Sequence, residues 1–568
     1  MTKKRYMIVA MLLATLLAAG CRKEQRSDSL TLVAEGARGG AAKLSIDGNY
    51  SDWASGDRVR INGTVAAVAI ADGEASVAGS YEAPFYGIYP GDASPAGIYS
   101  SNDGDRYSVT LPSQYTYTQS GGRQNLQSPM AGYAASGNYI LFRHLTAAIA
   151  VQITNYYGFD VLVDSVVVIS NSYKLCGDLT FTLDGNALAV PAESKAGGDT
   201  VTMLGGGLRI ASGNTATVQV PVLPQGEGNL FTVKVGVHKY NNADVSRVFE
   251  SVQPSSHPLS RNQIGYVPMT VGYPFTVSTV GTGKRVIIAQ GNLQYQASTR
   301  TWQFAANQYD YIGDAAGNTT AEAERATQSA WIDLFGWGTS GWNNGNLYYQ
   351  PYNTATTEGA ITNGYGYGPT DGSRYVYSLT GDYAYADWGV YNSIANGGNE
   401  AGRWRTLSAA NTGNEADVLF RNRTTTTTNM PTGTNSNAAR FIKATVASVK
   451  GVILFPDNYV HPGISVGGSG RLYNNFSNSA GFNCFIVSAS NWPLMEAAGA
   501  VFLPAAGFRN GVAVASSGAE AYYWSSVLHG TGNAYALLFH DSNSSASSLN
   551  NQTNRSKGCS VRLVQDIP

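Results

Sequence analysis

From Trp53 to Val271 the chain alternates short apolar runs with Gly, Asp, Asn and Pro punctuation. VRING (Val59–Gly63), TVAAVAI (Thr64–Ile70), FYGIYP (Phe85–Pro90), RYSVTLP (Arg106–Pro112) and VLVDSVVVIS (Val161–Ser170) are of strand length. Each carries β-branched or aromatic residues at strand spacing. The long run YILFRHLTAAIAVQITN (Tyr139–Asn155) and the later LTFTL, ATVQVPVLPQGEGNLFTVKVGV, SRVFESV and RNQIGYVPMTV continue the pattern. No apolar run with helical period and useful length interrupts it. These runs predict two β-sandwich-like domains, over 51–150 and 151–272. Ahead of them, residues 22–50 are polar and Gly/Ala-rich, with one strand candidate, SLTLVA (Ser29–Ala34). They are expected to form a propeptide or linker with a first strand.

The texture changes after about residue 275. Eight of the nine Trp residues lie beyond this point, and strand-like runs are separated by long Gly/Asn/Tyr-rich stretches such as Leu334–Tyr377. The density of aromatics predicts that these stretches pack on the domain. Two local features stand out: TTTTTN (Thr424–Asn429) is expected to be an exposed loop tip, and EADVLFRNR (Glu415–Arg423) a short helix. Near the end, YYWSS, AYALLF and CSVRLV bracket the segment HDSNSSASSLNNQTN (His540–Asn554), which is almost entirely Ser, Asn, Thr and Gln. Strand spacing puts Tyr535, Leu537 and Phe539 on one face.

Composition sharpens this picture. Only 13% of the 568 residues are charged, against roughly 25% in ordinary soluble domains, while 43% are apolar. That is too apolar for disorder and suits β domains whose surfaces are polar through hydroxyls and amides. With 37 basic and 38 acidic residues and no basic tract among aromatics, nothing in the charge points to nucleic acid. Lys3, Lys4 and Arg5 followed by the apolar Met7–Gly20 read as an export signal over residues 1–21. That apolar run is shorter than the roughly 20 residues of a membrane span. It ends in LAAGC (Leu17–Cys21), a bacterial lipobox by resemblance, which implies a lipidated Cys21 and an outer-membrane or cell-surface address.

Candidate chemistry is sparse. The six His residues show no HExxH motif and no ligand spacing, and no P-loop, GxSxG or helix-opening GxGxxG is present. The chain is therefore expected not to be an enzyme and to use neither cofactor nor metal. Cys176, Cys484 and Cys559 form no CxxC pair; Cys484 and Cys559 either pair with each other or are buried free thiols.

Two resemblances add to this reading. WASGDRVRING, FYGIYP, RYSVTLPSQYTY, YILFRHLTAAIAVQITN and VPVLPQGEGNLFTVKV, in that order, resemble the fimbrillin family of Bacteroides-like bacteria. The resemblance implies two transthyretin-like β-sandwich domains in a lipoprotein precursor of a pilus subunit. It also implies assembly with other fimbrial subunits by donor-strand exchange, after an Arg-directed protease removes the N-terminal segment; here GARGG offers Arg38.

Residues 273–568 resemble the C-type-lectin fold of formylglycine-generating-like and retroelement-diversified adhesin modules. The residues that carry this are Lys284–Gly313, WRTLSAA, KGVILFPDNY, WPLMEAAGAVFLPAAGFRNG, AYYWSS and GCSVRLV. It implies an α+β domain that binds a surface protein or glycan through loop residues. The candidates are Asn510, Tyr522, His529, Asn533, Leu537, His540, Asn543, Asn550 and Asn551, while Trp524 and Arg562 belong to the framework. Since SVRLVQDIP is needed by that framework, the whole reads as a pilus tip adhesin. The alternatives are a monomeric outer-membrane lipoprotein that binds its ligand without a pilus and, with no matching catalytic cysteine motif, a formylglycine-generating-like enzyme.

Overall fold

A computed structural model of the chain describes residues 26–34, 42–46, 49–91, 99–101, 104–120, 123–126, 128–185, 187–190, 197–254, 258–278, 283–319, 327–342, 351, 377–410, 413–530, 532–541 and 547–567. Over these residues the protein is mostly β.

The first unit is a closed barrel of seven strands, where a sandwich was expected. Two of its hairpins follow from local sequence. Asn62–Gly63 and Asp72–Gly73 take positive φ values of 47°, 85°, 51° and 78°. These are the left-handed conformations that two-residue hairpin turns require and that Asn-Gly and Asp-Gly tolerate best. Closure comes from the N-terminal strand Arg26–Ala34. It runs antiparallel to Glu74–Glu82 (Leu30 opposite Val77) and parallel to Tyr139–His144 (Leu32 opposite Ile140). Leu30 and Leu32 are fully buried beside Trp53, whose ring packs edge-on against Tyr89 at 5.2 Å and Phe142 at 5.6 Å. The segment expected to be a propeptide or linker thus supplies a strand to the barrel core.

The boundary expected at residue 150 also moves. Strands Tyr99–Ser101 and Gly104–Leu111 join a four-stranded sheet with Gly177–Asp184 and Ala187–Ala189, and Gln114–Thr116 pairs with Thr200–Leu204. The chain therefore leaves the barrel after Tyr89, contributes to the second unit, and returns for Met130–His144. Long-range pairing decides this, and a linear cut does not capture it. The second unit is a sandwich-like stack of sheets over one core. Its central strand Ala147–Asn155 lies between Thr215–Val222 and Ile264–Val271 and is almost continuously buried. Val161–Ser170, by contrast, alternates inward and outward along its length, as a strand with one covered face does.

The C-terminal region closes on itself. Leu563–Ile567 runs between Arg285–Ile288 and Arg405–Thr406, with Arg285 opposite Ile567. No helix among the described residues exceeds six residues, the longest α-helix being Trp492–Ala497. The expected helical character at Glu415–Arg423 appears as one α-turn continued by a π-turn, capped by Asn414 accepting from Asp417 N. The Thr run is not a free tip. Thr425 and Thr427 are buried, and Thr427–Thr428 pairs with Tyr459–Val460, because alternate threonines turn inward as in any half-buried strand. Cys176, Cys484 and Cys559 are free and buried.

The sandwich and the C-terminal region meet through polar contacts taken out of water. Lys239 Nζ lies 2.8 Å from Glu496 Oε1, and the Tyr157 hydroxyl donates to the Ala497 carbonyl at 2.5 Å. Gln290 N donates to the carbonyl of Gly158 at 3.0 Å. A Cβ on Gly158 would sit 1.8 Å from the Ile288 carbonyl oxygen, so only glycine permits this approach.

Candidate functional site

Seven of the nine expected ligand residues lie on one three-stranded antiparallel sheet, Glu520–His529, Asn533–His540 and Ser548–Asn554. Its middle strand is covered on both faces. Ala534, Ala536 and Leu538 join one core with Trp337, Trp388, Trp404 and Trp524; Leu537 and Phe539 join another with Phe420, Phe441 and Tyr523. Two expectations are corrected by this. Leu537 is buried in the second core, and Tyr522 is buried in the first, edge-on to Phe508 at 5.2 Å. Neither side chain faces a ligand. The signal was present: AYALLF is a continuous apolar run, which marks a strand buried on both sides, and alternation marks one with an open face.

The remaining candidates separate to different places. His529 and Asn533 pair across the turn at one end of the sheet, and the His529 ring meets Tyr535 edge-on at 4.9 Å. The Nδ1 atom of His529 is buried with no hydrogen-bond partner among the described residues. His540 lies at the opposite end, roughly 23 Å away along an eight-residue strand. There it pairs with Glu520 at 3.2 Å, while neighbouring Asp541 binds Lys450 at 2.6 Å and accepts from Phe482 N at 2.7 Å. These contacts fix the base of the polar segment. Asn550 and Asn551 lie on the outer strand, exposed and half-buried respectively, and Asn551 accepts from the Thr553 hydroxyl at 2.8 Å. Asn510 is exposed at the end of a separate short hairpin, Phe508–Asn510 with Ala513–Ala515. Cys21, Arg38 and Asn543 lie outside the described residues.

The framework residues are interior. Trp524 is 1% exposed and its Nε1 donates to the Phe335 carbonyl at 2.6 Å. Arg562 donates to Asn292 Oδ1 at 3.1 Å and to the carbonyls of Ala289 at 3.0 Å and Phe502 at 2.8 Å. Burial pushes its pKa down to about 10.

A group of side chains not among the expected candidates adjoins the His529 end. The first strand bulges between Trp524 and Leu528, which frees Ser526 and Leu528 to bond another segment. Leu379 N donates to the Ser526 carbonyl at 2.8 Å, and Leu528 N donates to Ser378 Oγ at 3.2 Å. This lacing holds Tyr377 to Tyr391 against the sheet. Within that stretch Trp388 is fully buried, whereas Tyr377, Tyr385 and Tyr391 are exposed. Of the aromatic-rich stretch Leu334–Tyr377, residues 343–350 and 352–376 lie outside the described residues; the expected packing holds for Trp337 within it and for Trp388 after it, but not for Tyr377, Tyr385 and Tyr391. Beneath them, buried Asp387 accepts from Gly389 N at 3.1 Å and Thr406 N at 2.7 Å. Desolvation raises its pKa to about 6 against the lowering effect of those bonds.

No family model and no curated protein matches the chain. Among solved structures, a fimbrial protein from Bacteroides ovatus aligns over 94% of this chain and 99% of its own, at 10% identity and a TM-score of 0.24. A fimbrial protein from Bacteroides vulgatus aligns over 43% of this chain and 95% of its own, at 9% identity and a TM-score of 0.22. At such TM-scores the likenesses carry no weight for fold or function, and the strand pairings above stand without them. The solved structures to which this chain is similar include fimbrial proteins of Bacteroides.

Proposed function

We propose that this chain is a cell-surface adhesin carried at the tip of a fimbrium, lipid-anchored as a precursor through Cys21. The observation that carries the reading is the N-terminal strand Arg26–Ala34. It closes the barrel by pairing on both sides, and it precedes Arg38. Cleavage at Arg38 would allow the strand to leave. Departure uncovers two strand edges and the groove that held Leu30 and Leu32, an acceptor for a strand of another subunit. The strand Leu563–Ile567, in contrast, is committed between two neighbours in its own domain, so it does not serve as a donor. A subunit that accepts through its barrel and presents a C-terminal binding domain fits a filament end. That domain is read as a lectin-like module that takes a surface protein or glycan, and the polar segment before Asn554 as the part open to sequence change.

Immunogold labelling of cells carrying the wild-type chain or the Arg38→Ala variant tests this. Gold is expected at filament ends for the wild type and at the cell envelope, away from filaments, for Arg38→Ala. Labelling scattered over the envelope for both proteins would instead support a monomeric lipoprotein. A Cys21→Ser variant is expected to leave the detergent phase on phase partitioning, and unchanged partitioning would exclude the lipid anchor.

A further inference from the structure

We propose that the tyrosine ledge formed by Tyr377, Tyr383 and Tyr385 with Trp342 is a stacking site for a neutral glycan. The site rests on the reading of the C-terminal region as a binding module and narrows its ligand, but it needs neither cleavage at Arg38 nor incorporation into a filament.

Three observations lead there. The first is exposure that folding does not explain. Tyr385 is 55% exposed and Tyr377 45%, although a large buried core of Trp337, Trp388 and Trp404 lies immediately beneath. Single exposed apolar residues are ordinary, but a contiguous group of aromatic rings on a surface marks an interaction site. The second is order. Tyr377 and Tyr383 stack at 4.4 Å with 7° between their planes, and Trp342 meets Tyr383 edge-on at 6.2 Å and Tyr385 at a 43° tilt at 6.5 Å. The backbone that carries the rings is tied down. Ser340 Oγ donates to the Tyr385 carbonyl at 2.7 Å, Ser378 and Leu379 are bonded to the bulged strand, and Asp387 caps the turn beginning at Trp388. Rings held in place lose little freedom when a ligand arrives.

The third observation selects the ligand. From Tyr377 to Tyr391 there is no basic residue, and the two acidic ones are the exposed Asp382 and the buried, bonded Asp387. Among the described residues that carry its three tyrosines, the ledge has no cation to pair with a sialylated, sulfated or phosphorylated ligand, nor a basic rim of the kind a membrane surface attracts. Tyr377 and Tyr383 lie near-parallel while Trp342 stands edge-on to Tyr383, so the rings make a stepped surface. A pyranose has one face rich in C–H groups and an equator of hydroxyls. The C–H face stacks on an electron-rich ring, and the hydroxyls find phenol, serine and amide partners around it. Successive sugars in a chain present such faces at changing angles, which suits tilted rings.

The test uses the full chain and six neutral oligosaccharides (lactose, N,N′-diacetylchitobiose, cellobiose, maltotriose, mannotriose and xylotriose), with 3′-sialyllactose as a charged control. Saturation-transfer NMR detects binding and calorimetry measures it. At least one neutral sugar is expected to bind, with Tyr385→Ala and Tyr377→Ala each weakening it about ten-fold and Tyr385→Phe retaining most of it. Both positions are exposed, so the melting temperature is expected to hold in all three variants. The proposal is overturned if none of the six binds, if binding survives both alanine substitutions, or if only sialyllactose binds. A failure of fimbrial incorporation shows separately, in the gold labelling, and leaves this result untouched.

Discussion

Replacing Lys239 with methionine is expected to destabilise the joint between the sandwich and the C-terminal region by about 3–5 kcal/mol. The Lys239 and Glu496 side chains are only 5% and 4% exposed and pair at 2.8 Å. Lys239 Nζ also reaches the Ala306 carbonyl at 3.3 Å and lies 4.9 Å from the centre of the Phe159 ring. Methionine fills most of the same volume, so the cost comes from the Glu496 carboxylate left buried without its cation, and little from a cavity. The double variant Lys239→Met, Glu496→Leu removes both charges and is expected to recover most of the loss, since a buried pair is often no better than a well-packed apolar one. A chain of several units does not melt as one, so the measurement is calorimetry of the separate transitions, together with proteolysis of the segment around residues 274–284. If the single and double variants fall equally, the pair does not hold the joint. In that case the Tyr157–Ala497 bond and the approach at Gly158 carry it.

That contact also shows which kind of structure was readable in advance. Strands were legible wherever period-two patterning met turn chemistry, as at VRING–TVAAVAI, because both signals lie within a dozen residues. Pairing was not. Leu32 meets Ile140 more than a hundred residues away, and Gln114–Thr116 finds its partner at Thr202–Leu204. Nothing local distinguishes those partners from a dozen other β-rich runs. The seven-stranded barrel and the interleaved boundary are both consequences of such pairings. Lys239 and Glu496 were equally unremarkable in sequence, since burial and a partner across a unit boundary are what give them importance.

The candidate site was half legible. The framework residues Trp524 and Arg562 could be separated from the loops, because both sit inside strand-patterned runs, YYWSS and SVRLV, and a large indole there favours the interior. Two errors have physical causes. Tyr522 and Leu537, candidates through the lectin-fold resemblance, lie instead in the cores that cover the two faces of the sheet. His529 and His540, candidates on the same ground, are carried by the strand between them to opposite ends of the sheet. The tyrosine ledge escaped notice for another reason. Tyr377 to Tyr391 is distant in sequence from the polar segment, and only the bulge at Ser525–Val527 brings it to the His529 end.

Trp524→Ala provides the sharpest separation of framework from loop. Removing a buried large aromatic costs about 3–5 kcal/mol, partly from lost transfer energy and partly from the cavity left behind. The Phe335 carbonyl also loses the indole Nε1 donor at 2.6 Å but keeps the Cys559 N–H at 3.0 Å, so the missing bond adds about 0.5–1.5 kcal/mol. Against a domain stability of about 5–15 kcal/mol, the sum is large enough to leave the C-terminal region partly or wholly unfolded at physiological temperature. Trp524→Phe keeps most of the ring and loses the hydrogen bond, so it is expected to fall between the two. Substituting Asn510, Asn550 and Asn551 together by alanine is expected to move stability by no more than about 0.5 kcal/mol per site, because none of these side chains fills a core. The check is near-ultraviolet circular dichroism with thermal melting of the full chain, a signal to which the buried Trp337–Trp388–Trp524 cluster contributes. Should Trp524→Ala melt like the wild type while the triple asparagine variant collapses, the indole is not a core anchor, and the division between scaffold and display surface must be drawn the other way round.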